Sequence, residues 1–388
     1  MGVLADLAQA RLAAAAAAGL HRALPPVERI DATRYRLAGR PVVGFCSNDY
    51  LGYGAEPVHV HALRGATASR LVCGDHDLVR EAEHALATHT GAQAAVLYPS
   101  GYQANVAALS CILDRNTVVY TDRLIHASLI DGIRLARARP TILPHGAPPP
   151  PPPRPPSAPH LYVTEAVFSM DGDRPDPEHL RAFLAAGGDL YLDEAHAAGI
   201  LGGGEGYAAA AALDPTLRLF TLGKALGLAG AAVLTSPPLA ALLRTSSRGF
   251  VFSTGLSPLL ARALLDLLPR VFGPDGDRRR ARLWSNVRRL GAALGEPKPP
   301  SPIFPILLGA NDDAVAAAAA LLDAGFHVQP IRPPTVPPGT ARLRITVTAA
   351  HEPAQIDAFA DALTTVLARR GHRPTVRRGD LGFPAPAP

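Results

Sequence analysis

AAVLYPSGYQANVAALSCIL, residues 94–113, decides how the chain is read. AAVLYP (94–99) is a short, nearly continuous apolar run, the pattern of a strand covered on both faces. A small-residue turn follows, and Tyr102 to Leu113 reads as a helix. The unit recurs downstream. TVVYTD (117–122), HLYVTEAVF (160–168), DLYLDEAH (189–196), LRLFTLG (217–223) and GAAVLTS (230–236) are further apolar runs separated by helix-length segments. Strands of this kind alternating with helices predict an α/β fold with a mainly parallel central sheet.

From about residue 275 the pattern changes. An arginine-rich helix (278–294), a strand PIFPILLG (302–309), an alanine-rich helix, HVQPIRPP and ARLRITVT predict a smaller α+β domain. The expected division is an N-terminal helical arm (1–45), a large domain (46–275), a small C-terminal domain (276–370) and a disordered Pro- and Arg-rich tail (371–388). The opening MGVLADLAQARLAAAAAAGL lacks a basic region ahead of its apolar run, so it reads as a helix rather than a signal peptide. The proline run at 148–156 fits neither helix nor central strand and reads as a surface insertion.

Composition narrows the function classes. Hydrophobic residues are 48% and charged residues 18% of the 388, a globular balance. No stretch of about 18 uninterrupted apolar residues occurs, so no membrane span is expected. Cys46, Cys73 and Cys111 form no CxxC, which argues against disulfides and a cysteine zinc site and fits a reducing cytoplasm. Net charge is +5 with the arginines spread along the chain, so nucleic-acid binding is not expected.

Only two of the 38 basic residues are lysine, Lys224 and Lys298. A lysine amine forms a Schiff base, and a guanidinium cannot. Active sites of open α/β sheets lie at the carboxyl ends of strands. The predicted ends carry His126, Ser169, Asp193, His196 and Lys224, and SGYQAN opens a helix after the first of these strands. A helix N-terminus offers free N–H groups to a phosphate. An aspartate keeps a pyridine nitrogen protonated, and a histidine can stack on the ring. Together these residues describe a pyridoxal phosphate site. A metal hydrolase using Asp193, His196 and His126 is a second reading, one that would not need Lys224.

The motifs SNDYLG (47–52), SGYQANVA (100–107), DRLIHASLIDG (122–132), TEAVFSMDGD (164–173), LDEAHAAGILG (192–202), TLGKALG (221–227), FSTGLSP (252–258) and IRPPTVPPGTARLRITVTAAH (331–351) occur in order. In these the chain resembles the α-oxoamine synthases, a branch of the fold-type I pyridoxal phosphate enzymes, over about residues 20–365. The resemblance implies a homodimer that condenses an amino acid with an acyl-CoA and releases coenzyme A and CO2. L-alanine and pimeloyl-CoA, the biotin-pathway pair, are the first expectation, and a glycine-using relative is the second. It implies that Lys224 holds the aldehyde and later acts as base at the substrate Cα, that Asp193 pairs with the pyridine nitrogen and that His126 stacks on the ring. His196 and Ser169 would meet the phenolic oxygen. Gly101, Tyr102 and Thr221 would meet the phosphate, Thr254 would come from the second subunit, and no metal is implied. Asn48 and Arg344 would hold the amino-acid carboxylate. Arg342 and Arg344 are read as alternating, so that only one faces the site. Gly223 and Gly227 are read as letting the backbone pass close to the ring. Val79 stands where the family commonly has histidine, the segment after Gly202 lacks the usual arginine, and His21 or Arg22 stands for the basic residue near the N-terminus that binds the acyl chain's far end.

Overall fold

A computed structural model describes residues 2–153 and 158–379. The chain divides into two compact units, Asn48–Trp284 and a second one made of Met1–Ser47 with Ser285–Pro388. The N-terminal segment therefore groups with the C-terminal region instead of standing alone. The division falls inside the helix Pro274–Ala293, not at its start.

The smaller unit opens with the helix Val3–Ala17, which buries no side chain. Strands β1 (Val27–Arg29), β2 (Arg34–Leu37) and β3 (Arg40–Gly44) follow as an antiparallel set. The larger unit then contributes β4 (Ala94–Tyr98), β5 (Val118–Asp122), β6 (Pro140–Leu143), β7 (His160–Glu165), β8 (Asp189–Asp193), β9 (Leu217–Thr221) and β10 (Ala231–Thr235). Back in the smaller unit, β11 (Ile303–Gly309), β12 (Phe326–His327), β13 (Gln329–Ile331) and β14 (Ala341–Thr346) complete the strands. β14 lies between β11 and β13, antiparallel to both. Arg342 and Arg344 are two residues apart on β14, so they share a face and do not alternate. Both are buried. The tail expected to be disordered is tied down through residue 378. Val376 bridges Ile306, and Arg378 Nε donates to Glu296 Oε1 at 2.7 Å. Residues 380–388, and 154–157 of the proline run, lie outside the described residues.

In the larger unit seven strands run in the order β4-β10-β9-β8-β7-β5-β6. All are mutually parallel except β10, which is antiparallel to β4 and β9. A run of apolar residues marks a covered strand but carries no direction, so GAAVLTS did not announce this. Leu109 and Ala108 of the helix Gly101–Ile112 pack with Val96, Val163, Tyr191, Leu219 and Val233 in one core. Among the described residues, no helix is long and apolar enough to cross a membrane.

The segment after β9 is fixed by close packing. Gly227 has φ +66, and a Cβ there would lie 2.1 Å from the backbone nitrogen of Gly54. The glycine therefore serves a backbone-on-backbone contact with the loop after SNDYLG, a different reason from the approach to a ring. A Cβ at Gly223 would meet nothing closer than 3.5 Å. Gly227→Ala combines a left-handed backbone with overpacking, and we expect it to lower the unfolding free energy by about 2–4 kcal/mol. Gly223→Ala is expected to change it by less than about 1 kcal/mol. Denaturant unfolding of the two variants checks the contrast.

Candidate active site

The carboxyl ends of β5, β7, β8 and β9 bring the predicted residues together. A cavity of about 190 Å³ is lined by Gly101, Tyr102, His126, Ser169, Asp193, His196, Thr221 and Lys224. Asn105, Ser128 and Glu165, which the sequence reading did not single out, also line it.

Asp193 ends β8 and is buried. Its Oδ2 accepts from Asn105 Nδ2 at 2.8 Å and its Oδ1 from the backbone N–H of Ala195 at 2.9 Å. Asn105 Nδ2 also donates to Ser128 Oγ at 2.8 Å, and Asn105 Oδ1 accepts from Tyr191 OH at 2.8 Å. Ser128 in turn meets His126 Nδ1 at 2.8 Å. The Tyr102 ring stands edge-on to His126, with centroids 6.5 Å apart. The helix Gly101–Ile112 is capped by Ser100, whose side chain takes the N–H of Gln103. A Cβ built on Gly101 would lie 3.6 Å from Thr221 Oγ1, so this helix N-terminus and the Thr221 hydroxyl face one spot.

Glu165 ends β7 and pairs in register with Asp193. Burial and then the neighbouring Asp193 carboxylate push it well above the usual carboxylate range. Its Oε1 is buried with no hydrogen-bond partner. Lys224 Nζ lies 2.9 Å from His196 Nε2, and His196 Nδ1 lies 2.7 Å from Tyr50 OH.

Asn48 and Thr254, of the same unit, do not line this cavity. Asn48 is half-buried and its Oδ1 accepts from Tyr50 OH at 3.3 Å. Thr254 is exposed and bridges Ser69. Arg22 and Arg344 belong to the smaller unit, where Arg22 Nη2 donates to Thr335 Oγ1 at 3.1 Å. Val79 is fully buried on the helix Asp77–His89, a core position.

A second cluster supports these loops. His145 follows β6 and sits between two carboxylates, Nδ1 at 2.9 Å from Asp122 Oδ1 and Nε2 at 2.6 Å from Asp173 Oδ2. Asp122 ends β5 four residues before His126, and Asp173 closes the turn that carries Ser169. Burial alone would lower the imidazole's pKa, but the two carboxylates outweigh it and push it up to about 10. The clamp was legible only as an unassigned histidine, because its partners lie 23 and 28 residues away.

Comparison with known proteins fixes the class. Residues 40–148 and 153–363 match the family model "Aminotransferase class I and II". The chain belongs to that family, and its larger unit has the fold-type I architecture. More particularly, it is similar to proteins named 8-amino-7-oxononanoate synthase. It is 40% identical to that of Bordetella petrii over 89% of this chain and 93% of the relative. It is 40% identical to that of Anaeromyxobacter dehalogenans strain 2CP-1 over 93% and 96%. Among solved structures, Sphingomonas wittichii serine palmitoyltransferase matches with TM-score 0.84 and 25% identity over 96% of this chain and 99% of that one. The 8-amino-7-oxononanoate synthase of Francisella tularensis matches with TM-score 0.69 and 25% identity over 85% and 99%.

Because the folded pKa of His145 is raised above its ordinary 6.5, its stabilisation is complete below about pH 6.5 and lost as pH rises through about 10. Thermal unfolding of the wild type should therefore weaken across this window. The decline should be shallower in His145→Gln, which cannot carry the charge between the two aspartates. Parallel melting curves from pH 6 to 10.5 test this, and identical slopes would rule out the charged clamp.

Proposed function

We propose that this chain is a pyridoxal-phosphate-dependent acyltransferase of the 8-amino-7-oxononanoate synthase type, working in biotin synthesis in the cytoplasm. One observation carries the reading: Lys224 Nζ, one of only two lysine amines in the chain, lines a cavity shared with Asp193, His126 and His196 and with a helix N-terminus. The residues present fit the cofactor. A buried carboxyl oxygen of Glu165 lacks a partner there, and the helix N-terminus at Gly101 with Thr221 Oγ1 beside it would form an anion-binding corner.

Gly101, Tyr102 and Thr221 would hold the phosphate, Asp193 the pyridine nitrogen, and Ser169 and His196 the phenolic oxygen, with His126 against the ring face. When bound, the cofactor supplies an electron sink for negative charge at the substrate Cα. Lys224 Nζ would hold the cofactor's aldehyde group, and its amine would take the proton from the substrate Cα and later return one. Asn105 and Ala195 hold Asp193 fixed through this cycle, so no reorientation is needed as charge develops. The acyl thioester would be the electrophile for the substrate Cα, with coenzyme A leaving from the acyl carbon and CO2 from the amino-acid carboxylate.

The remaining roles rest on the resemblance. Asn48 and Arg344 would hold the carboxylate, Arg22 the far end of the acyl chain, and Thr254 would act from a second subunit of a homodimer. L-alanine and pimeloyl-CoA are the proposed substrates.

Purified wild type should be yellow and lose its visible band on borohydride treatment. Lys224→Ala should lack this behaviour and lose turnover by about a thousandfold or more. A wild type that never takes up pyridoxal phosphate would end the reading. Product from glycine and none from alanine, with the same acyl-CoA, would replace the alanine assignment by the glycine-using one.

A further inference from the structure

We propose that Tyr50 is a positioning residue whose hydroxyl lets His196 serve Lys224 in either of its tautomers, so that the histidine follows the lysine as its amine gains and loses a proton. The geometry is a chain of four groups. Lys224 Nζ is 2.9 Å from His196 Nε2, His196 Nδ1 is 2.7 Å from Tyr50 OH, and Tyr50 OH is 3.3 Å from Asn48 Oδ1. Tyr50 is fully buried, and His196 nearly so.

A neutral imidazole carries one proton, so what one ring nitrogen does constrains the other. An ammonium at Lys224 can only donate. Nε2 then accepts, Nδ1 carries the proton and donates to the Tyr50 oxygen, and the Tyr50 O–H turns to Asn48 Oδ1. A neutral amine at Lys224 has a lone pair. Nε2 can then carry the proton and donate to Nζ, while Nδ1 accepts from the Tyr50 O–H. A hydroxyl serves both states because it donates and accepts. A carbonyl at this place would hold one tautomer, and an N–H the other. Lys224 must alternate between bonded and free amine if it acts as proposed above, and the bearing of Tyr50 on the reaction rests on that reading.

Tyr50→Phe keeps the ring and removes only the hydroxyl. In the ammonium state this leaves a buried Nδ1–H without its acceptor. Buried N–H groups without a partner are tolerated less than acceptors lacking a donor, so the variant's Lys224 should give up its proton more readily. Asp193, Glu165 and His126 also face Lys224, but they are the same in both proteins.

The test is graded-pH labelling of the full-length apoenzyme with acetic anhydride. Only Lys224 and Lys298 carry side-chain amines, so peptide mass spectrometry reads each separately, with exposed Lys298 as the internal reference. In Tyr50→Phe the Lys224 midpoint should fall by about one pH unit, or about tenfold faster labelling below the wild-type midpoint, with Lys298 unchanged. An unmoved or raised midpoint would overturn the proposal. Should the variant not fold, the ¹⁵N signals of His196 in wild-type apoenzyme, assigned by their loss in His196→Gln, give the same answer. A change from Nδ1–H to Nε2–H across the Lys224 midpoint supports it, and a fixed tautomer overturns it. Neither measurement involves turnover, so a chain that failed to bind the cofactor would sink the proposed function and leave this result standing.

Discussion

The side-chain amide of Asn105 holds the site together. Its two N–H groups go to Asp193 Oδ2 and Ser128 Oγ, and its oxygen takes the Tyr191 hydroxyl. Every polar capacity that matters is used inside a buried environment, where a half-satisfied amide would be costly. The orientation is dictated: turned over, the amide would set its oxygen against the Asp193 carboxylate. One side chain thus fixes the end of β8, the helix Gly101–Ile112 and the start of the helix Ala127–Leu135 relative to one another. Asparagine is a poor residue for a helix interior on propensity alone, so its place there reflects this tertiary bond.

Around that anchor the electrostatics are asymmetric. Asp193 and Glu165 end adjacent strands in register, so two carboxyls share one small cavity. Two buried like charges at this distance would repel strongly in a poorly screened interior. Asp193 has donors on both oxygens, whereas Glu165 has one oxygen without any. The proton therefore belongs on Glu165. His145 applies the same logic with opposite sign: a cation between Asp122 and Asp173 ties the loops after β5, β6 and β7.

Much of this was legible in the chain, and the reason is topological. In a parallel sheet every strand delivers its next residues to the same edge, so His126, Ser169, Asp193, His196 and Lys224 could be gathered by counting from strand ends. What could not be counted was side-chain reach across the sequence. Tyr50 meets His196 at a separation of 146 residues, and Asn105 meets Asp193 at 88. Strand direction also escaped, because β10 is as apolar as its parallel neighbours. The pairing of Arg342 and Arg344 escaped for a different reason: the period of a strand is two, and residues two apart share a face.

Rarity of lysine was a useful signal only once position was added. Lys298 is as rare as Lys224 but is exposed between prolines, with nothing that requires an amine. Lys224 faces a histidine nitrogen at 2.9 Å in a cavity holding two carboxyls. A guanidinium there could satisfy the carboxyls, and through its bidentate fork would be the better ion-pair partner. It could not surrender its proton near neutral pH, nor attack a carbonyl carbon. In a chain that uses arginine almost everywhere else for positive charge, a lysine here fits the proposed role of a nitrogen that can lose its charge.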